Sequence, residues 1–438
     1  MNRKIWEKES SSKSEHAKIV EQFTVGNDKK FDSQLAEFDV IGSLAHAEML
    51  ERVGLLTKDE WSLIQRALYN ILEEITSGNF KLEEDIEDIH SQIEFLLTER
   101  IGEAGKKIHS GRSRNDQVLL DIKLFLRHQI KEVSKATNDL FDTLLQLSEA
   151  HKNKLLPGYS HFQLAMPSSF GLWFSAYAES LVDDMETMLA AYHVCNKNPL
   201  GSAAGYGSSL PINRSATTEL LGFETMNYNV VYAQMSRGKT EKIVAMAIAN
   251  IAATLSKFAY DICLYMNQNF GFVSFPDSLT TGSSIMPHKK NPDVFELIRA
   301  KCNRIQALPN ELTLLTNNLP SGYHRDWQLT KECLFPAIDE LKNCIQMTTF
   351  MLNYINVKND ILNDKKYDLL FSVEAVNTEV MNGAAFRDAY KNVASQIEGG
   401  DFNPSRVINH THEGSIGNLY NDKIAAEFKI LLNKILGK

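Results

Sequence analysis

RSRNDQVLLDIKLFLRHQIKEVSKATNDLFDTLLQLSEAHKNKLL, residues 112–156, is a run without glycine or proline, too long for an ordinary globular helix unless it packs in a bundle. A second such run lies between Gly238 and Gly271, and helical patterns follow Pro167, Pro292 and Pro336. The sequence therefore predicts an all-α bundle of long helices rather than a doubly wound sheet. Within the first run, apolar residues at alternating spacings of three and four form a heptad seam: Leu119, Ile122, Leu126, Val133, Ala136, Leu140 and Leu147.

The regions on either side of the bundle have shorter patterns. Thr57 to Glu60 has the form of a capping box that opens a helix toward Thr76, and a helical pattern recurs at 424–436. These changes predict three parts: an N-terminal helical domain, a central helix-bundle domain and a C-terminal helical domain, at residues 1–111, 112–356 and 357–438.

Composition limits the classes of partner. A chain of 438 residues with 43% hydrophobic and 23% charged residues has material for a large globular core. The net charge of -9 argues against a nucleic-acid or membrane-surface partner. Five cysteines without a CxxC pair predict reduced thiols. The start of the chain up to Lys18, rich in Lys, Glu and Ser, predicts disorder and lacks a signal core. No stretch looks long and apolar enough to span a membrane, so we expect a cytoplasmic protein.

The segment GSSIMPHKKNP, residues 282–292, combines a flexible loop with cations and a helix start. Gly282 lets the backbone bend, and either Ser283 or Ser284 could supply a reactive hydroxyl. Asn291, followed by proline and aspartate, has the pattern of a helix N-cap. Because two lysines beside a helix N-terminus suit a carboxylate, the segment predicts an anion-handling loop.

A second polar segment is IHSGRSRNDQ, residues 108–117, at the start of the long helix. Arg112 and Arg114 can hold carboxylates through forked, charge-assisted hydrogen bonds, and Asn115 adds an amide. An alternative interpretation is a basic helix start paired with its own Asp116.

Two more segments carry polar side chains far away in the sequence. LPGYSHFQLAMP, residues 156–167, contains Ser160 and His161. GYHRDWQLTKE, residues 322–332, spaces three polar residues so that they lie within roughly 140 degrees of one face if the segment is helical. These residues are Tyr323, Gln328 and Lys331.

Together these segments resemble the argininosuccinate lyases, a family within the fumarase/aspartase superfamily. EDIH at residues 87–90 and PLGSAAGYG at 199–207 extend the resemblance over about residues 22–415. The chain departs from the family pattern at Ser160, where threonine is usual, and at Met166, where glutamine is common. The resemblance implies reversible β-elimination of argininosuccinate to L-arginine and fumarate, the last step of arginine biosynthesis, with no cofactor and no metal.

The resemblance also implies roles for individual residues. Ser283 would be the base, and Lys289 and Asn291 would bind the carboxylate that becomes doubly charged. His161, with Glu296 as its carboxylate partner, would either protonate the leaving nitrogen or orient a water molecule. The substrate-binding positions that carry over are His90, Arg112, Arg114, Asn115, Ser160, Asn291, Tyr323, Gln328 and Lys331.

For the assembly, the resemblance implies a homotetramer in which the central bundles form a twenty-helix core and each site takes residues from three subunits. Two other interpretations remain. Adenylosuccinate lyase, or another fumarate-releasing lyase, would share the Ser283 loop but need other leaving-group contacts; residues 112–117 and 323–331 favour argininosuccinate. A catalytically silent, crystallin-like structural protein is the second, and the presence of Ser283, Lys289 and His161 weighs against it.

Overall fold

The computed structural model describes residues 15–83 and 86–437, which are mostly helical. The α-helices are α1 (Glu15–Val25), α2 (Asp28–Asp32), α3 (Ala36–Arg52), α4 (Lys58–Thr76), α5 (Ile89–Ile101), α6 (Glu103–Lys106), α7 (Arg114–Ala150), α8 (Phe170–Cys195), α9 (Arg214–Leu220), α10 (Val230–Met235), α11 (Lys239–Met266), α12 (Asp293–Ile305), α13 (Leu308–Leu315), α14 (Leu329–Leu352), α15 (Ser372–Met381), α16 (Phe386–Gly399) and α17 (Asn421–Leu436). The disorder predicted for the N-terminal tract falls mostly outside the described residues, since helix α1 begins at Glu15.

Strands within the described residues occur only as two-stranded pairs, β1 with β2, β3 with β4, β5 with β8 and β6 with β7. They are β1 (Leu155–Ser160), β2 (Gln163–Ser169), β3 (Lys197–Asn198), β4 (Thr225–Met226), β5 (Val273–Ser274), β6 (Thr281–Gly282), β7 (Lys290–Asn291) and β8 (Asn356–Val357). The predicted all-α class is therefore confirmed.

The long helices arise where glycine and proline are absent. Helix α7 occupies most of the run 112–156, and α11 lies within the run that ends at Gly271. In the predicted heptad seam of α7, every residue is buried except Leu147, which is half-buried. Pro336 lies inside α14 instead of preceding it, so the helix begins earlier than the sequence pattern suggests.

Two predicted helix caps have different outcomes. Thr57 and Glu60 form the expected capping box at the start of α4, with the Thr57 hydroxyl accepting from the Glu60 amide at 3.2 Å. The N-cap prediction for Asn291 is wrong. Asn291 pairs with Thr281 between β7 and β6, and the carbonyl of Pro292 accepts the amide of Glu296, so α12 begins one residue later.

The chain divides into two compact units. The first comprises residues 187–249, 305–340 and the described part of 1–133. Its larger core packs α3 against α4 and α5 through side chains that include Leu50, Leu68 and Ile93. A second buried cluster joins Leu124 of α7 to Phe223. Apolar burial of this kind is the main stabilising contribution to the unit.

The second unit comprises residues 134–186, 250–304 and the described part of 341–438. The hairpin of β1 and β2 and the two-stranded β6–β7 pair belong to it. Asp261 accepts hydrogen bonds from the indole of Trp173 at 3.1 Å and the hydroxyl of Tyr177 at 2.7 Å. Phe428 of α17 stacks on Phe141 with ring centroids 3.9 Å apart, which fixes the last helix onto α7.

One helix among the described residues, α11, is long and apolar enough by composition to cross a membrane, with a mean hydropathy of 1.5. The expectation that no stretch passes this test is therefore wrong. Of that apolar window, 56% is buried inside the structure, and the core helix of a soluble protein passes the same test of length and composition.

Candidate active site

A cavity of about 170 Å³ in the first unit brings together six of the predicted substrate-binding residues. Its polar lining contains four carboxylates, four cations and four uncharged or imidazole groups. They are Asp28, Asp32, Glu87, Asp88, Arg114, Arg237, Arg325, Lys331, His90, Asn115, Tyr323 and Gln328. We call this the mixed-charge pocket. Such a balance suits a ligand that carries charges of both signs.

Gln328 anchors one wall of the mixed-charge pocket. Its side-chain amide donates to the carbonyls of Thr24 at 3.0 Å and Val25 at 3.2 Å, and its oxygen accepts from Arg325. Arg325 also reaches Glu87 at 3.4 Å. The segment 24–25 is thereby held against the turn that precedes α14.

Lys331 lies at the bottom of a buried ion-pair network. Its ammonium contacts Asp28 at 2.8 Å and also pairs with Asp32. Burial and the neighbouring Asp32 raise the pKa of Asp28 to about 6 against the pull of Lys331. Burial works to lower the pKa of Lys331, but the two carboxylates outweigh it and raise the pKa. Lys331 is therefore held as a cation.

Two other predicted residues in the pocket have side chains available to a ligand. The side-chain amide of Asn115 and the hydroxyl of Tyr323 make no hydrogen bond within the described residues, although the backbone amide of Asn115 donates to the Ser113 hydroxyl at 3.3 Å. The Tyr323 ring is fixed edge-on against Trp327, with centroids 5.9 Å apart. Arg114 contacts Ser91 at 3.1 Å and Asp88 at 3.5 Å.

Arg112 is not among the lining residues of the mixed-charge pocket. Its guanidinium is buried, donates to Ser43 at 3.0 Å and lies 3.8 Å from Glu94. In this chain, therefore, Arg112 supports the structure around the pocket, and direct contact with a substrate stays a prediction.

The segment 323–331 reaches the pocket by a route that the sequence did not predict. It is not one continuous helix: Tyr323 precedes a 3-10 turn at Arg325–Gln328, and Lys331 lies in α14. The prediction that a single helical face brings these three residues together is wrong, although all three do line one cavity.

Asp116 has a structural role that the sequence only partly indicated. Its carboxylate accepts from the Ser113 amide at 2.8 Å, whereas the ion pairs of Arg112 and Arg114 are with Glu94 and Asp88. It also accepts from Gly201 at 2.9 Å and Ala203 at 2.8 Å. Gly201 has a φ of 84°, which favours glycine at this turn. Asp116 thus fixes the glycine-containing loop 199–207 onto α7.

The predicted anion-handling loop lies in the second unit. The antiparallel pair β6–β7 closes residues 283–289 into a protruding loop. The Ser283 hydroxyl oxygen accepts from the backbone amide of Met286 at 3.1 Å and, more weakly, of Ile285 at 3.4 Å. Lys290 pairs with Asp277, whereas Lys289 is exposed and forms no ion pair within the described residues. The loop therefore presents two serines, of which Ser283 accepts backbone amides, and one ammonium without an ion pair among the described residues.

Ser160 and His161 lie at the tip of the β1–β2 hairpin in the same unit. His161 and Phe162 form its two-residue turn with φ angles of 53° and 59°, and both are exposed. Asn or Gly usually occupies such positions, so a histidine and a phenylalanine here are strained. Strain at an exposed histidine is the kind of feature that functional sites retain.

Glu296 lies on the exposed face of α12. Among the described residues of one chain, no hydrogen bond or ion pair joins it to His161. Nor does such a contact join the hairpin tip to Ser283, Lys289 or Asn291. The pairing of His161 with Glu296 stays a prediction.

Sequence reasoning did not identify several residues of the mixed-charge pocket. Arg237 lines it and forms a buried ion pair with Glu241 at 3.0 Å. Asp28 and Asp32 reach it from α2. In the sequence, Asp28 and Asp32 form only a short acidic pattern, and Arg237 is a lone arginine before a glycine. Neither pattern is specific for a binding site. Asp88 lies in the family-like segment 87–90, but the resemblance implies no role for it.

Comparison with known proteins gives a consistent result over nearly the whole chain. A family model described as "Lyase" matches residues 10–307. The argininosuccinate lyase of Parabacteroides distasonis is 59% identical over 99% of this chain and 96% of its own length. The chain belongs to the argininosuccinate lyase family. The family's protein from Thermotoga neapolitana is 36% identical, covering 90% of this chain and 98% of its own length.

Solved structures of the wider superfamily share the fold. An EDDS lyase in complex with formate superimposes with a TM-score of 0.74 at 20% identity, over 95% of this chain and 90% of that chain. A class II fumarase from Schistosoma mansoni superimposes with a TM-score of 0.70 at 15% identity, over 92% of this chain and 90% of that chain. At these identities the likeness concerns the fold, which is fumarase/aspartase-like.

Proposed function

We propose that this protein is an argininosuccinate lyase that eliminates L-arginine from argininosuccinate and releases fumarate, reversibly, in the last step of arginine biosynthesis. The observation that carries the proposal is identity of 59% to an argininosuccinate lyase over 99% of the chain. The chemistry draws only on side chains and backbone groups of the protein, with no cofactor or metal.

In the proposed mechanism Ser283 removes the proton next to a substrate carboxylate. A serine hydroxyl is a poor base in water, so its oxyanion needs stabilisation. The amides of Ile285 and Met286, which already donate to the Ser283 oxygen, favour that oxyanion. Lys289 and Asn291 then stabilise the doubly charged carboxylate that forms.

His161 would serve the leaving nitrogen as general acid or as the group that positions water, with Glu296 as its carboxylate partner. Its exposure at a hairpin tip supports this role, because the side chain is free to meet a substrate. Ser160, beside it, would contribute a hydroxyl to binding. Three carboxylates, an ammonium and a guanidinium group make argininosuccinate an ion of mixed charge, which suits the mixed-charge pocket. His90, Arg114, Asn115, Tyr323, Gln328 and Lys331 would bind it there.

We further propose a cytoplasmic homotetramer in which each site draws residues from three chains, with no nucleic-acid or membrane partner. The support is the superfamily resemblance, the length of α7 and α11, and the heptad seam of α7, which is typical of helices that pack in bundles. The three-domain division at residues 111 and 357 is part of the same proposal.

The test is proton NMR of argininosuccinate mixed with the purified protein. Fumarate and arginine should appear in equal amounts and stop at an equilibrium mixture that is also reached from fumarate and arginine. Ser284→Ala protein should give the same products. Absence of arginine from a folded protein would contradict the proposal.

A further inference from the structure

A buried cluster of one histidine and two carboxylates lies behind the mixed-charge pocket. His90 Nδ1 lies 2.9 Å from Asp39 Oδ1 and 3.3 Å from Asp121 Oδ2, and all three side chains are at most 1% exposed. Gln117 donates to the same Asp39 oxygen at 2.5 Å. The cluster joins α3, α5 and α7, so its geometry is fixed by three helices.

The cluster cannot be fully ionised without a large desolvation cost. Two buried carboxylates, an imidazolium and the nearby buried Arg112 would place four charges out of water. Burial, and next the adjacent Asp39, raise the pKa of Asp121 well above its usual value. Burial also raises the pKa of Asp39, but Arg112 and the Gln117 hydrogen bond oppose the rise. If Asp121 carries a proton, the remaining charges are the Asp39 carboxylate and the Arg112 guanidinium, which balance each other.

This distribution of protons determines which nitrogen of His90 carries hydrogen. An ionised Asp39 only accepts hydrogen bonds, so Nδ1 at 2.9 Å must donate. The other nitrogen, Nε2, is buried and has no partner among the described residues. His90 also lines the mixed-charge pocket. We propose that Asp39 and a protonated Asp121 hold His90 as its neutral Nδ1–H tautomer, so that Nε2, which is covered in the structure without ligand, accepts a hydrogen bond from an N–H group when a ligand enters the pocket.

Asp39 and Asp121 are then positioning residues, because they act on a ligand only through His90. In the reaction proposed above, on which this part of the inference rests, the N–H group belongs to the arginine part of argininosuccinate. An acceptor at this position discriminates in favour of an ammonium or guanidinium donor and against a carboxylate, which would leave Nε2 unpaired.

The tautomer can be measured without turnover. Solid-state nitrogen NMR of the precipitated full-length protein, labelled with 15N-histidine, separates protonated from unprotonated ring nitrogens. His90 is assigned by the signals lost in His90→Gln. His46 is an internal reference for the other tautomer. Its Nε2 lies 2.9 Å from the Ser110 carbonyl oxygen, so this nitrogen must carry the hydrogen and donate. We expect a protonated Nδ1 and an unprotonated Nε2 for His90. A doubly protonated ring, or a bare Nδ1 as in a metal ligand, would overturn the proposal.

A matched pair of substitutions separates the two carboxyl groups. Asp121→Asn retains an N–H in place of the acid's O–H, whereas Asp39→Asn removes the anion that holds Nδ1–H. Asp39→Asn should raise KM for argininosuccinate about 10- to 100-fold with a smaller change in kcat, since a uniform binding contact is weakened. Asp121→Asn should cause a much smaller increase. Asp139→Asn, at an exposed carboxylate on α7, should leave both constants unchanged.

An effect of Asp121→Asn equal to or larger than that of Asp39→Asn would contradict the assignment of the proton to Asp121. If the Asp39→Asn protein fails to fold, the nitrogen NMR measurement of the His90 tautomer in the unsubstituted protein tests the proposal by itself. If argininosuccinate is not turned over, the proposed function fails while the tautomer measurement still tests the cluster.

Discussion

Ser283 lies in a loop whose own backbone amides point at its hydroxyl oxygen, and Ser284 beside it lacks such contacts among the described residues. Because loss of a general base costs about 100-fold or more in rate, Ser283→Ala should lower kcat by at least that factor. Ser284→Ala is the matched control and should retain most activity. The comparison is made by steady-state fumarate release, and near-normal turnover by Ser283→Ala would mean that another group is the base.

His46 should make the protein sensitive to acid. Burial, helped by the positive charge of Arg112, lowers the pKa of His46 to about 3. Below the unfolded pKa of about 6.5 the unfolded chain binds this proton and the folded chain does not, so stability is lost as pH falls from 6.5 toward 3. This group alone removes about 3 kcal/mol of unfolding free energy between pH 7 and pH 4.

His46→Gln, which retains an N–H for the Ser110 carbonyl, should lose correspondingly less stability between those two pH values. Urea unfolding at pH 7 and pH 4 measures the difference. His193→Gln, at an exposed position, is the control and should follow the unsubstituted protein. An equal acid loss in His46→Gln would show that His46 is not the sensitive group.

At the residue scale, the sequence identified the pocket residues that belong to distinctive sequence motifs. It missed the pocket residues that lie outside such motifs. The pocket residues Asn115, Tyr323 and Lys331 were predicted from such motifs. Arg237 and Asp28 were not, because their proximity to the pocket depends on how distant helices pack. No sequence rule indicated that His161 would adopt a positive φ.

At the scale of elements, local rules predicted the helices well where capping and breaker residues decide the structure. Thr57 begins α4 as expected, and the absence of glycine and proline defines α7 and α11. The prediction failed at Asn291, where a long-range pairing with Thr281 replaced the cap. It failed again at 323–331, where a 3-10 turn interrupts the helix.

Asp116 tests how one side chain holds an element in place. Asp116→Ala would leave the amides of Ser113, Gly201 and Ala203 without their acceptor. We expect the unfolding free energy to fall by about 3 kcal/mol or more, with the loop 199–207 losing hydrogen-exchange protection first. Asp139→Ala, on the exposed side of the same helix, should change the free energy little. Unchanged protection of the loop would show that other contacts hold it.

For the whole molecule, the proposed assembly predicts complementation between inactive variants. If Asn115 and Ser283 of one site come from different chains, co-assembled Asn115→Ala and Ser283→Ala proteins should regain up to about a quarter of the normal sites by random mixing. Ser283→Ala with Lys289→Ala should regain none, because both residues lie on one loop. Light scattering should report four chains per particle, and full activity in a monomer would contradict the assembly.

Physical reasoning from the sequence gives the least information about how many chains assemble. A heptad seam such as that of α7 indicates that helices pack together, but it does not distinguish partners in the same chain from those in another. The homotetramer therefore rests on resemblance to the superfamily.

The proposed function requires that this protein release fumarate from argininosuccinate. The most direct measurement is the ultraviolet absorbance of fumarate after mixing the purified protein with argininosuccinate, and separately with adenylosuccinate, in chelator-treated buffer. We predict fumarate from argininosuccinate only. Fumarate from adenylosuccinate, or from neither substrate, would contradict the proposed function.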